Sequence, residues 1–238
     1  VTPDPQLSLA FETTWPAAEI VDTGAIRSGR GLGAGGRVSS SIARSPDWTE
    51  ADLSAAEALH RDWQQRPMFR LPDSDRRLGE ALAARGYRAE SPTAIMTADC
   101  AALVAEIPAL TIFPIWPPLA IQRELWAAGN IGPARQAVME RVADPKISIL
   151  ARLDDRAAGS AFVAVEGPVA MVHAIEVAPQ FRRRGVGAFL VRAAAEWAAR
   201  QGAPRLGLAV SRSNAGARAL YDRMGFSEIA GYSYWARD

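Results

Sequence analysis

Residues 180–190 read QFRRRGVGAFL, which sets Arg182, Arg183 and Arg184 directly before Gly185-Val186-Gly187 at the junction of a strand and a helix. That combination can hold a phosphate. The first amides of a helix have no intrahelical acceptor, and the helix dipole places partial positive charge on them. Glycines at 185 and 187 allow close backbone approach and unusual φ. The amides from Arg183 to Ala188 would converge on an anion, with the arginines adding charge. Solvated arginines in a plain connection are the other reading. A second stretch, GLGAGG (31–36), matches G-x-G-x-x-G letter for letter. A dinucleotide loop of that pattern needs a helix opening within it. Here RVSSSIARSP follows, rich in Ser and β-branched residues and stopped by a proline. It predicts a hairpin turn between strands, with no ligand.

Two titratable side chains lie close before the arginines. On the strand 169–177, a period of two puts Met171, His173, Ile175 and Val177 on one face. An unperturbed histidine titrates near neutrality, as a general base must. Glu176 has the opposite parity, and a β-bulge would be needed to turn it inward. His60, on a helix over 48–65, is read as structural. Cys100 is the one cysteine, so no intrachain disulfide and no multi-cysteine metal site can form. It is expected to be a small buried hydrophobe.

The elements that must position these residues are clearest after residue 100. Helical segments are expected in PLAIQRELWAAGN and GPARQAVMERVAD. Strands follow at 146–153, in AAGSAFVAVEG and at 168–177, then a helix at 186–202 capped by Gly202. A strand at 205–211 leads to a helix over 214–225 that Asn214 could N-cap, and SEIAGYSYWAR ends as a strand. This is an α+β arrangement around a mixed sheet. Before residue 100 the pattern is fainter, with two strands around the glycine run and a helix capped by Thr49 or Asp47. ALAARGYRAESPTAIMTAD (81–99) aligns without gaps on LYDRMGFSEIAGYSYWARD (220–238), Gly86-Tyr87 falling on Gly225-Phe226. Each copy is a helix, a C-cap glycine, an aromatic residue and a strand. Two homologous halves are therefore expected, 1–99 and 100–238.

The 238 residues carry a net charge of +1, so no broad field points to nucleic acid or an anionic membrane. The most apolar window, 107–122, is too short to span a bilayer and holds four prolines. With no visible secretory signal, the chain is expected to be cytoplasmic.

VAPQFRRRGVGAFL resembles the acyl-CoA pyrophosphate loop of the GNAT superfamily of N-acetyltransferases, R/Q-x-x-G-x-G/A, here Arg182-Arg183-Arg184-Gly185-Val186-Gly187. The family's Asn and the Tyr seven residues on are matched by Asn214 and Tyr221. The resemblance covers 146–238 closely and 100–145 loosely. With the repeat it implies a tandem protein of two GNAT-like domains, each a mixed sheet flanked by helices, the N-terminal one degenerate. In that half Leu82 stands where Tyr221 stands, and no pyrophosphate motif lies between strand and helix.

The resemblance further implies acyl transfer from acetyl-CoA to a primary amine. The cofactor-binding set would be Val177, Arg182, Arg183, Arg184, Gly185, Val186, Gly187, Ala188 and Asn214, with the Val177 N–H on the thioester oxyanion. Tyr221 would be the acid for the departing thiolate. His173 is the first candidate base and Glu176 the second. No metal is required. The acceptor is open between a small-molecule amine and a peptide N-terminus, the latter because the last segment is similar to that of ribosomal-protein alanine N-acetyltransferases. A non-catalytic acyl-CoA-binding or regulatory module is the alternative. Oligomeric state is not encoded legibly.

Overall fold

The computed structural model describes residues 4–109 and 111–237. The chain opens with a helix that the sequence pattern did not announce, α1 (Pro5–Thr13). Asp4 caps it, its carboxylate accepting from the Gln6 and Leu7 amides, and Pro5 fills the first turn. Then come β1 (Glu19–Thr23), β2 (Ile26–Arg30), β3 (Ser41–Ala43), α2 (Glu50–Asp62), β4 (Met68–Pro72), α3 (Arg76–Ala84) and β5 (Arg88–Asp99). A short α4 (Cys100–Leu103) and β6 (Ile112–Ile115) lead to α5 (Ala120–Ala128) and α6 (Pro133–Arg141). The chain closes with β7 (Lys146–Leu153), β8 (Arg156–Glu166), β9 (Val169–Val177), a 3-10 turn (Pro179–Phe181), α7 (Val186–Arg200), β10 (Arg205–Ser211), α8 (Ala215–Arg223) and β11 (Ser227–Ala236). β6 lies inside the proline-rich window and was not anticipated. Its residues pair with β7 at the sheet edge, where proline is tolerated.

The architecture is α+β, a mixed sheet flanked by helices. The strands of both halves join in one eleven-stranded sheet, β1-β2-β3-β4-β11-β5-β10-β9-β8-β7-β6. Each half gives its last strand to the other. β11 pairs with β4, and β5 pairs with β10, both antiparallel. The registers carry the same offset as the sequence match. Pro72 faces Tyr232 as Ser211 faces Thr93, and Met68 faces Ala236 as Gly207 faces Thr97. At the centre β5 and β11 pair with each other, Arg88 opposite Ala236 and Thr97 opposite Ser227. A local two-fold therefore passes between them.

The helices cover both faces. α7 packs with α4 on one side, where Leu190, Val191 and Ala194 meet Ile149, Val163, Val172 and Leu206. On the opposite face α1 buries Leu7 and Phe11 completely against Val169 and Met171 of β9 and Tyr232 of β11. Each such side chain contributes about 1.5–3 kcal/mol. The N-terminal helix thus lies on the sheet of the second half.

Candidate active site

β9 and β10 run parallel and pair only through Val169–Met171 and Arg205–Gly207. Beyond that point they diverge. Val172–Val177 and Leu208–Ser211 form two walls of a cavity of about 930 Å³. β9 also breaks its own period. The register against β8 slips between Ser160/Glu176 and Phe162/His173, and Ala174 takes φ +51°. The indole N–H of Trp126 holds the displaced Ala174 carbonyl at 2.8 Å. The expected shared face of Met171, His173, Ile175 and Val177 is therefore corrected. Met171 faces α1, while Ile175 and Val177 pack on the α7 side. The inserted residue inverts the parity of everything after it. Glu176 turns toward α5, against Gly129, with its side chain 17% exposed and Arg182 at 3.2 Å.

The glycine-arginine loop closes one end of the cavity. Arg183 (φ +64°) and Gly185 (φ +85°) are both left-handed, which curls the chain into the start of α7. Gly185 caps that helix with no side chain, and no acidic residue lies in its first turn. The first bond into the helix is Phe189 N–H to Gly185 O. The six amides from Arg183 to Ala188 have no acceptor among the described residues. Consecutive unpaired amides at a helix start form an anion-binding concavity. The three arginines differ. Arg182 folds back on Glu176 and the Val177 carbonyl, Arg184 pairs with Asp154 at 2.7 Å away from the cavity, and Arg183 makes no ion pair among the described residues.

The remaining predicted residues meet at the same cavity. Asn214 caps α8 by accepting from the Ala217 amide, and Asn214 and Tyr221 line the same cavity as the loop. Tyr221 is 6% exposed, its hydroxyl has no hydrogen-bond partner among the described residues, and burial pushes its pKa up to about 12. Leu82, at the matching place on α3, is fully buried in the first half's core.

His173 lines the opposite end, but both ring nitrogens are engaged. Nε2 lies 2.9 Å from Thr14 Oγ1, whose own proton goes to the Ala10 carbonyl. Nε2 therefore carries the hydrogen, and Nδ1 faces the Arg37 guanidinium at 3.4 Å. Burial, then the Arg37 charge, hold the imidazole well below its ordinary pKa. His60 is also buried, which lowers its pKa, and it is bonded to Ser41 Oγ and the Arg66 carbonyl. Burial pushes the Cys100 thiol up to about 11.

Trp15, Arg37 and Thr93, all from the first half, line the same cavity, as does Tyr232. The sequence reading missed them. The available signal was position: Arg37 directly follows GLGAGG. That run is the turn between β2 and β3, with Gly33 and Gly35 left-handed. A Cβ on Gly36 would come within 3.0 Å of the Tyr234 ring, so the glycine permits the close approach that carries Arg37 to the second half.

Comparisons with known proteins bear on this geometry. Residues 114–226 match the family model described as Acetyltransferase (GNAT) family. A mycothiol acetyltransferase of Clavibacter michiganensis subsp. michiganensis is 37% identical over 100 residues, 42% of this chain and 33% of that protein. The matched stretches span a quarter to a third of the curated relatives. Among solved structures, a GCN5-related N-acetyltransferase from Kribbella flavida has a TM-score of 0.73 at 18% identity, covering 97% of this chain and 92% of the other. A tandem GNAT protein from the clavulanic acid biosynthesis pathway has a TM-score of 0.63 at 15% identity, covering 83% and 74%. At those identities the structures speak for the fold.

Proposed function

We propose that this chain, whose residues 114–226 match the acetyltransferase (GNAT) family model, transfers an acetyl group from acetyl-CoA to a primary amine. The observation that carries this reading is the open start of α7, six free amides beside a cavity between parted strands. A diphosphate matches that donor set, and the parted strands leave room for an extended arm reaching toward Tyr221. The second half, 100–238, carries the chemistry. The first, 1–99, walls the acceptor end and lends β5.

Glu176 is the better base of the two candidates. The bulge turns it inward, whereas the free lone pair of His173 faces a cation. Glu176, directly or through a water, takes the proton of the acceptor ammonium. The amine nitrogen then attacks the thioester carbonyl carbon, and the Val177 N–H supports the charge on its oxygen. As the amide forms, the C–S bond breaks. Tyr221, held protonated by burial, gives its proton to the departing sulfur, and the second proton that the amide nitrogen sheds passes through solvent to restore it. His173 orders Arg37 and Thr14 at the acceptor end.

A calorimetric titration with acetyl-CoA, with NADH as control, tests the premise, and one acetyl-CoA per chain with no NADH binding is expected. Tyr221→Phe should then lower turnover about a hundredfold with acetyl-CoA affinity within threefold of wild type. Unchanged turnover removes Tyr221 from the reaction. Binding without transfer to any amine would make the chain an acyl-CoA-binding module.

A further inference from the structure

Among the described residues Arg37 makes no salt bridge of its own. Its Nη2 donates to the Phe11 carbonyl and its Nη1 faces His173, while Nε is buried with no partner. The nearby Arg70 has a salt bridge, with Glu12, so two guanidiniums share a single carboxylate. The other groups facing Arg37 are Tyr232 and Tyr234, whose hydroxyls lie 3.4 Å apart. Enclosure pushes the Arg37 pKa down to about 10. The fork is also fixed in place, stacked on the Phe11 ring with 3.6 Å from Cζ to the centroid.

A partly buried charge without a salt bridge is costly, and the buried Arg37 Nε, a donor without an acceptor, calls for one. Here both border the acceptor end of the cavity. Among the described residues Glu176 is the one carboxylate lining this cavity, and the largely exposed Arg182 lies 3.2 Å from it. An acceptor bearing an anion would relieve Arg37, and a planar carboxylate fits a guanidinium fork. His173, in contact with Arg37, stands three residues from Glu176 on the same strand, a Cα separation of about 10 Å at most. Both ends of one small molecule can therefore be held at once.

We propose that Arg37 recognises a carboxylate on the acyl acceptor, which is therefore a small amino carboxylate lying with its carboxylate on Arg37 and its amine toward Glu176. This rests on the acyltransferase reading above. It also gives the GLGAGG turn a purpose, since that turn delivers Arg37.

The test uses acceptor pairs differing only in the carboxylate, L-alanine against L-alaninamide and L-lysine against cadaverine, with CoA thiol release as the readout. The expected kcat/KM is at least tenfold higher for the carboxylate member. Arg37→Gln should bring the ratio to about one, chiefly through KM, and Arg37→Lys should retain part of it. Equal or better transfer to the amide and the diamine overturns the inference while leaving the acyltransferase reading intact. Where no acceptor turns over, calorimetry of the same amino acids in the presence of CoA decides. Binding weakened at least tenfold by Arg37→Gln supports the carboxylate site and overturns acyl transfer, whereas no binding overturns the site.

Discussion

The two halves place a helix at the same point of the same topology, and only one leaves its start open. α2 follows β3 and precedes β4, as α7 follows β9 and precedes β10, and each strand pair is parallel. At α2 the protein fills its own amides. Thr49 Oγ1 accepts from the Asp52 N–H, the Asp52 carboxylate accepts from the Thr49 N–H, and Glu50 adds a second acid to the first turn. At α7 a glycine caps with nothing and no acid follows. A helix start binds an external anion only when its own side chains decline the place. The two halves share a topology and differ in what occupies a few amides, which leaves only the start of α7 open to an external anion.

The sharpest way to break this comparison is to give α7 the acid of α2. Ala188 is the third residue of α7, as Asp52 is of α2. Ala188→Asp would put a carboxylate among the free amides, competing for them and repelling a diphosphate. A lost charge-assisted hydrogen bond costs about 1.5–3 kcal/mol. Acetyl-CoA affinity should fall about a hundredfold in calorimetry, with the unfolding temperature little changed. An affinity within threefold of wild type would mean that this end of α7 holds no anion.

The same contrast explains what could be read from the sequence. The strands 146–153 and 205–211 and the start of α7 fall at the expected residues, because local alternation and glycine placement fix them. The Thr49 cap was legible for the same reason. The bulge at Ala174 was not, since it depends on Trp126 reaching across from α5. One inserted residue then exchanged the sheet faces of Ile175 and Glu176. The exchange of β5 and β11 was invisible too, because each strand has the same local pattern whichever partner it takes. Arg37 was hidden most deeply. Its turn was read as a hairpin, as β2 and β3 pair, but its destination lies 136 residues away at His173.

The halves also hold one histidine each, which gives a smaller effect to measure. His60 and His173 both have pKa values lowered by burial, His173 further because of Arg37. A folded-state pKa below that of the unfolded chain stabilises the protein above the unfolded value, near 6.5, and the benefit is lost as pH falls. Between pH 6.5 and 5.5 the neutral His173 should make stability fall by up to about 1.4 kcal/mol per pH unit, with His60 adding in the same direction. Urea unfolding of His173→Gln should show a slope smaller by about one proton in that window. An unchanged slope would mean that His173 is protonated in the fold and that Arg37 lies farther from it.

The smallest effect comes from emptying α2 in turn. Thr49→Ala removes the capping hydroxyl and one side of the capping box, at a cost of about 1 kcal/mol. For a chain of this size that is roughly 2–4 °C in unfolding temperature. The acids at 50 and 52 would remain, so the opened amides should still refuse an anion, and acetyl-CoA stoichiometry should stay at one. Acetyl-CoA affinity at α7 should also be untouched, because α2 packs on β1 and β2, away from the cavity. A matching loss of affinity would carry a different lesson. Strain from the first half would then reach the site through β5 and β11, the strands each half has lent the other, and α2 would tune the site it does not form.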